Sequence, residues 1–134
     1  DFKVRFREAD PAGIGYFANV FNFAHDAFED FIQAAGFTWK EWFQTRELIV
    51  PIRHTECSFS RPFFPGQTYQ IQVSVSHLGE SSFQMRYQFL FESHIHAEVR
   101  MTHVFLDMKT KSKTAMPEIV RDRLQVYYDA QTKV

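Results

Sequence analysis

The chain carries a single cysteine, Cys57, among its 134 residues. One thiol excludes an internal disulfide and any zinc site built on several cysteines. It fits a reducing compartment, so the cytoplasm is the expected location. Proline and glycine number only 5 each, and most of them fall between candidate elements. No linker, low-complexity tract or internal repeat is visible, and one domain spanning 1–134 is expected. No apolar run approaches the roughly 18 residues of a membrane span, and no secretory pattern opens the residues. Charge of one sign is also missing. The 15 Lys and Arg meet 16 Asp and Glu, a formal net of −1. That leaves no global basic field for nucleic acid and no polybasic run for a lipid surface.

Aromatic residues are in excess: 16 Phe, 5 Tyr and 2 Trp. Such a chain can build a dense core and also line a pocket or subunit contact with rings. Their spacing predicts the elements. Phe2, Val4 and Phe6 alternate with Lys3, Arg5 and Arg7, the pattern of a half-buried strand. From Phe17 to Ala35 apolar residues recur every three or four positions, predicting a long helix over about 18–35 that Gly36 ends. Thr38–Glu41 reads as a capping box opening a short second helix to about Arg46. The period then changes to two. Strands are expected over 49–60, 68–78, 82–92 and 95–107, joined by tight turns into antiparallel hairpins. Pro117 starts a last helix to about Tyr128. The first helix is apolar on more than one stripe, so it must be wrapped. An antiparallel sheet curled round it, in the α+β class, satisfies the pattern. Free sheet edges can be protected by pairing across a two-fold axis.

The loop Glu8–Phe17 is the most informative stretch. It joins a strand to the mouth of the long helix, where free N–H groups and the positive dipole end can hold a polarised carbonyl oxygen. Gly13 and Gly15 allow close approach of the backbone. Asp10 precedes them, and a carboxylate there can attack an acyl carbon or deprotonate a water. On spacing alone a second reading stands beside this one: Asp10-Pro11 shapes a turn and nothing more. His25 can contact a ligand or pack as a bonded core histidine, and Glu29, one turn on, can orient it or be solvated. His94 and His96 share one face of a strand in a regular alternation, with His103 further along, but no third ligand is convincingly spaced for a metal.

The run Asp10-Pro11-Ala12-Gly13-Ile14-Gly15-Tyr16-Phe17-Ala18-Asn19, followed by His25 and Glu29, resembles the signature of the 4-hydroxybenzoyl-CoA thioesterase family of hotdog-fold enzymes. The resemblance continues through Phe59-Ser60-Arg61-Pro62 and Gly66 and covers nearly the whole chain. It implies an antiparallel sheet round a central helix, assembled as a homodimer or homotetramer. It implies hydrolysis of an acyl-CoA thioester to acid and CoA with no metal and no cofactor. Asp10 matches the catalytic nucleophile or general base, and Phe17 the residue whose amide polarises the thioester carbonyl. Gly13, Tyr16, His25 and Arg61 are the expected substrate contacts.

His25 stands where the 4-hydroxybenzoyl branch has an acid, as in the similar 1,4-dihydroxy-2-naphthoyl-CoA hydrolases. An aromatic acyl group of either type is therefore expected, with an aliphatic acyl-CoA as the alternative. A non-catalytic acyl-binding domain is a reading of another class. A dehydratase would need a His in the loop, and Glu8–Phe17 has none. For the CoA phosphates, Arg61, Arg86, Arg100, Lys109, Lys111 and Lys113 are candidates, because the Leu78–Ser82 turn lacks the basic cluster of the family.

Overall fold

The computed structural model describes residues 1–3, 19–38 and 48–129. In chain order the elements are β1 (Phe2–Lys3), α1 (Asn19–Ala34), β2 (Leu48–Ile49), β3 (Ile52–Phe59), β4 (Thr68–Leu78), β5 (Ser82–Phe91), β6 (His94–Val104), β7 (Leu106–Asp107) and α2 (Glu118–Gln125). Five strands form one antiparallel sheet in the order β1-β4-β5-β6-β3. The expected helix over 38–46, all but Thr38, and most of the expected first strand lie outside the described residues.

The alternation along β5 and β6 decides which face is inside. Phe83, Met85, Tyr87 and Phe89 of β5, with Ala97, Val99, Met101 and His103 of β6, are buried. Against them α1 lays Val20, Ala24, Phe28, Phe31 and Ile32, a stripe at helical spacing. Burial of a ring such as Phe28, 2% exposed, contributes about 2–3 kcal/mol. The opposite face of the sheet is polar. There Arg86 and Arg100 flank Glu98, at 3.2 and 2.9 Å, and Ser76, Gln84 and Thr102 form a hydrogen-bonded ladder. The sheet is therefore one-sided, as antiparallel sheets commonly are.

Two of the expected strands are split. The run 49–60 breaks at Val50-Pro51, so that β2 leaves the main sheet and pairs with β7. Proline has no N–H to continue the ladder. The run 95–107 breaks at Phe105 in the same way.

The end of α1 follows from backbone chemistry. Gly36 sits at φ +94°. Its N–H donates to the Gln33 carbonyl at 3.0 Å, and that of Phe37 to Ile32 at 3.1 Å, the paired bonds of a Schellman cap. α2 completes the end. Arg123 donates to the Gly36 carbonyl at 2.7 Å and stacks its guanidinium 4.7 Å from the Phe37 ring. A cation there also opposes the negative end of the helix dipole.

The β5–β6 hairpin turns on Glu92 and Ser93, at φ 50° and 65°. Two positive-φ residues in succession make the turn that Asn-Gly prefers. Both side chains are exposed, so the strain has no compensating burial. Replacing the pair (E92N with S93G) is expected to stabilise the fold by about 1–2 kcal/mol. Urea unfolding of the double variant checks this, and an unchanged or lower midpoint contradicts it.

Candidate functional site

α1 presents two flanks on either side of its buried stripe. At about 100° per residue, Phe23, Asp26, Ala27, Asp30 and Ala34 fall on one, His25 and Glu29 on the other. The first flank faces β1 and β4 across a cleft of about 340 Å³, floored by Phe2, Phe31, Ile71 and Val73 and rimmed by Asp1, Asp26 and Asp30. None of the described residues lining it is one of the expected site residues.

The second flank faces the C-terminal half of β6. His25 Nδ1 lies 4.0 Å from Glu29 Oε1, with both side chains about two-fifths exposed. Phe28, three residues on, covers His103. The imidazole of His103 is sandwiched between Phe28, with centroids 4.7 Å apart at 19°, and Phe83, 4.8 Å apart at 6°. His103 is 2% exposed, and neither ring nitrogen has a hydrogen-bond partner. Burial pushes its pKa down to about 4. The nearby Val50 backbone opposes that shift without meeting hydrogen-bond geometry, and the charge of His25 adds to it. His103 is therefore neutral at physiological pH, with one N–H donor and one lone-pair acceptor. Sequence reasoning weighed His103 only as a metal ligand. The period-two continuation of Ala97, Val99 and Met101 to position 103 is the signal that places it on the inner face.

The other expected residues are distributed as follows. Asp10, Gly13, Tyr16 and Phe17 lie outside the described residues; the segment that holds them connects Lys3 to the first residue of α1, Asn19. Arg61 is exposed just beyond β3, where the N–H groups of Ser60 and Arg61 donate to the His96 carbonyl at 2.9 and 3.2 Å. His96 and His103 are seven residues apart on β6, about 23 Å along an extended strand. Within one chain, Arg61 and the His25 flank thus stand at opposite ends of the sheet.

His94 and His96 differ in burial, because the alternation between them is not regular. Phe89 pairs with Ala97 and Leu90 with Ile95, so His96 is the extra residue of a bulge, which re-aims it. It is buried, with Nδ1–H donating to the Pro62 carbonyl at 3.0 Å, while His94 is exposed. Of the cations considered for phosphate, Arg86 and Arg100 are engaged with Glu98. Lys109 and Lys111 lie in an exposed turn organised by Asp107. That carboxylate accepts the N–H groups of Lys109 and Thr110 at 2.8 and 3.0 Å, which draws its pKa down. Cys57 is half-buried on β3, and burial pushes its thiol up to about 11, so it is no nucleophile at neutral pH. No described helix is long and apolar enough to cross a membrane.

The model of the Thioesterase-like superfamily matches residues 4–124. The chain belongs to this superfamily. The match spans both the segment that carries Asp10 and every strand from β2 to β7. A 1,4-dihydroxy-2-naphthoyl-CoA hydrolase of Synechococcus elongatus is 31% identical over 127 residues, covering 94% of this chain and 93% of that protein. One from Nostoc punctiforme is 31% identical over 115 residues, covering 86% and 78%. Among solved structures, a 1,4-dihydroxy-2-naphthoyl-CoA thioesterase from Synechocystis superposes with a TM-score of 0.83 at 17% identity, covering 92% of each chain. A gentisyl-coenzyme A thioesterase gives 0.80 at 23%, covering 92% of this chain and 97% of that one. The fold is the α+β hotdog, and the chain is a thioester hydrolase.

The depressed pKa of His103 predicts a pH effect with a definite sign. Between pH 6.5 and about 4 the unfolded chain binds a proton at this ring that the folded chain does not. Stability from this group is full above pH 6.5 and is lost as pH falls toward 4, by ~3 kcal/mol in all. Urea midpoints measured for the wild type and His103→Phe at pH 7 and pH 4.5 should diverge on acidification, with the variant losing less. Parallel losses in the two proteins would contradict the assignment.

Proposed function

We propose that this thioesterase hydrolyses an aromatic acyl-CoA, of the 1,4-dihydroxy-2-naphthoyl or 4-hydroxybenzoyl type, to the free acid and CoA. The observation that carries the acyl class is the aromatic-walled flank of α1: the half-exposed His25–Glu29 pair with the Phe28–His103–Phe83 stack beneath it. Curated relatives of similar length, 31% identical, are named for 1,4-dihydroxy-2-naphthoyl-CoA, which supports this over an aliphatic chain.

In this reading the thioester carbonyl oxygen accepts a hydrogen bond from the Phe17 amide at the mouth of α1. Asp10 either takes the proton of the attacking water or attacks the carbonyl carbon itself, forming an anhydride that water then opens. In both routes the C–S bond breaks, the CoA thiolate leaves and takes up a proton, and the acid keeps one oxygen derived from water. Gly13 and Tyr16 shape the pocket beside Asp10, and His25 contacts the acyl ring.

Arg61 enters through assembly. Among the described strands β3 is paired on one side only, by β6, and it carries exposed Ile52 and Phe59. Its Ile52 end lies beside His103 and its Phe59 end beside Ala97. If two copies pair antiparallel through β3, the Phe59–Arg61 end of each comes to the Ile52 end of the other, and so toward that chain's His25 flank. The reading is therefore a homodimer, or a tetramer of such dimers, whose site takes Asp10 from one chain and Arg61 from its partner.

Asp10→Asn is expected to fold as the parent and to lose on the order of 10² to 10⁴ in kcat; near-parental turnover on every acyl-CoA tested removes Asp10 from the chemistry. Arg61→Ala should raise KM for acyl-CoA. At substrate well below the raised KM, where Arg61→Ala is itself nearly inactive, refolding an equimolar mixture of the Asp10→Asn and Arg61→Ala proteins should restore about a quarter of parental activity, because half the dimers then hold one intact site. No gain on mixing places Arg61 outside a shared site.

A further inference from the structure

Among the described residues two buried side chains carry polar atoms with no hydrogen-bond partner, Tyr87 and His103. Tyr87 is fully buried within the core. His103 is packed between two members of that core, Phe28 and Phe83, under the flank that bears His25. Its ring is held flat by Phe28 on one face and Phe83 on the other, so its only free directions are in the plane, along the edge that carries the nitrogens. An apolar ring would fill the same slot without a desolvation cost. A polar group kept unpartnered in an aromatic slot is the pattern of a residue whose partner arrives with the ligand.

We propose that His103 is a specificity-determining residue, whose imidazole edge hydrogen-bonds a ring hydroxyl of the aromatic acyl group. The proposal rests on the aromatic acyl-CoA reading above. A neutral imidazole offers one donor and one acceptor, and a phenolic hydroxyl offers the same pair. A carboxylate or phosphate only accepts and would leave the acceptor nitrogen unmatched, and a plain hydrocarbon ring would match neither. Both ring nitrogens are closed to solvent, so in this proposal the acyl ring displaces side chains on the His25 flank to bring its hydroxyl to the imidazole edge, between the Phe28 and Phe83 rings. His103 then selects for hydroxylated over unsubstituted aromatic acyl groups and takes no part in breaking the thioester.

The test compares the wild type with His103→Phe on 1,4-dihydroxy-2-naphthoyl-CoA and 2-naphthoyl-CoA. The variant should melt no lower than the wild type at pH 7. Its kcat/KM for the dihydroxylated ester should fall about ten-fold or more, with the value for the unsubstituted ester held within about two-fold. Equal changes on both esters, or no change on either, overturn the proposal and leave the thioesterase reading intact. A second readout does not depend on turnover. In wild-type protein with labelled histidine, the His103 ring nitrogen signals, assigned by their loss in His103→Phe, should shift with 1,4-dihydroxy-2-naphthoate and stay in place with 2-naphthoate. If the wild type cleaves neither ester, the aromatic acyl-CoA reading falls. The nitrogen signals then decide His103 alone, and no selective shift overturns its role.

Discussion

The contact on which the structure depends is that between the apolar stripe of α1 and the inner face of the curled sheet. Val20, Ala24, Phe28, Phe31 and Ile32 meet Phe83, Met85, Tyr87, Phe89, Val99 and Met101 in one continuous core. A helix of this length gains little from its own backbone bonds; what holds it is the removal of those rings from water. Once the stripe is committed to the sheet, the rest of the helix surface is assigned. The two flanks beside the stripe are left facing opposite ends of the strand order, β1 and β4 on one side and β6 on the other. The proposed site residues carried by the helix, His25 and Glu29, inherit their positions from that division.

Much of this was legible in the residues because two periods compete and only one fits each segment. The 3.6-residue recurrence located α1 to within a residue or so at each end, and the alternation located β4 and β5 at least as well. The breaks at Pro51 and Phe105 were harder to see, since both segments keep their apolar alternation across the break. The bulge at His96 was illegible for a different reason. An extra residue in one strand is defined only by what the neighbouring strand opposes to it, and that pairing is not a property of the local sequence.

The site divides along a similar line. The Asp10–Asn19 motif speaks for a reaction through its resemblance to the thioesterase signature, since its spacing alone equally suits an Asp-Pro turn. The acyl specificity is not written in the motif. In the proposed reading it belongs to side chains that meet from distant segments: His25 and Phe28 from α1, Phe83 from β5 and His103 from β6. A buried histidine between two phenylalanines looks, residue by residue, like any inner-face position. Its missing hydrogen-bond partners become visible only when all the packed neighbours are counted together.

The clamp at the end of α1 carries a consequence for how the chain is made. Arg123 reaches the Gly36 carbonyl across 87 positions of sequence, and Tyr127 reaches the Ala34 carbonyl across 93. During vectorial synthesis the central helix emerges early, but its final turn stays unclamped until nearly the whole sheet has followed. A ribosome-bound intermediate therefore exposes the aromatic stripe until β5 and β6 have followed, and closure of the last helix afterwards fixes its final turn.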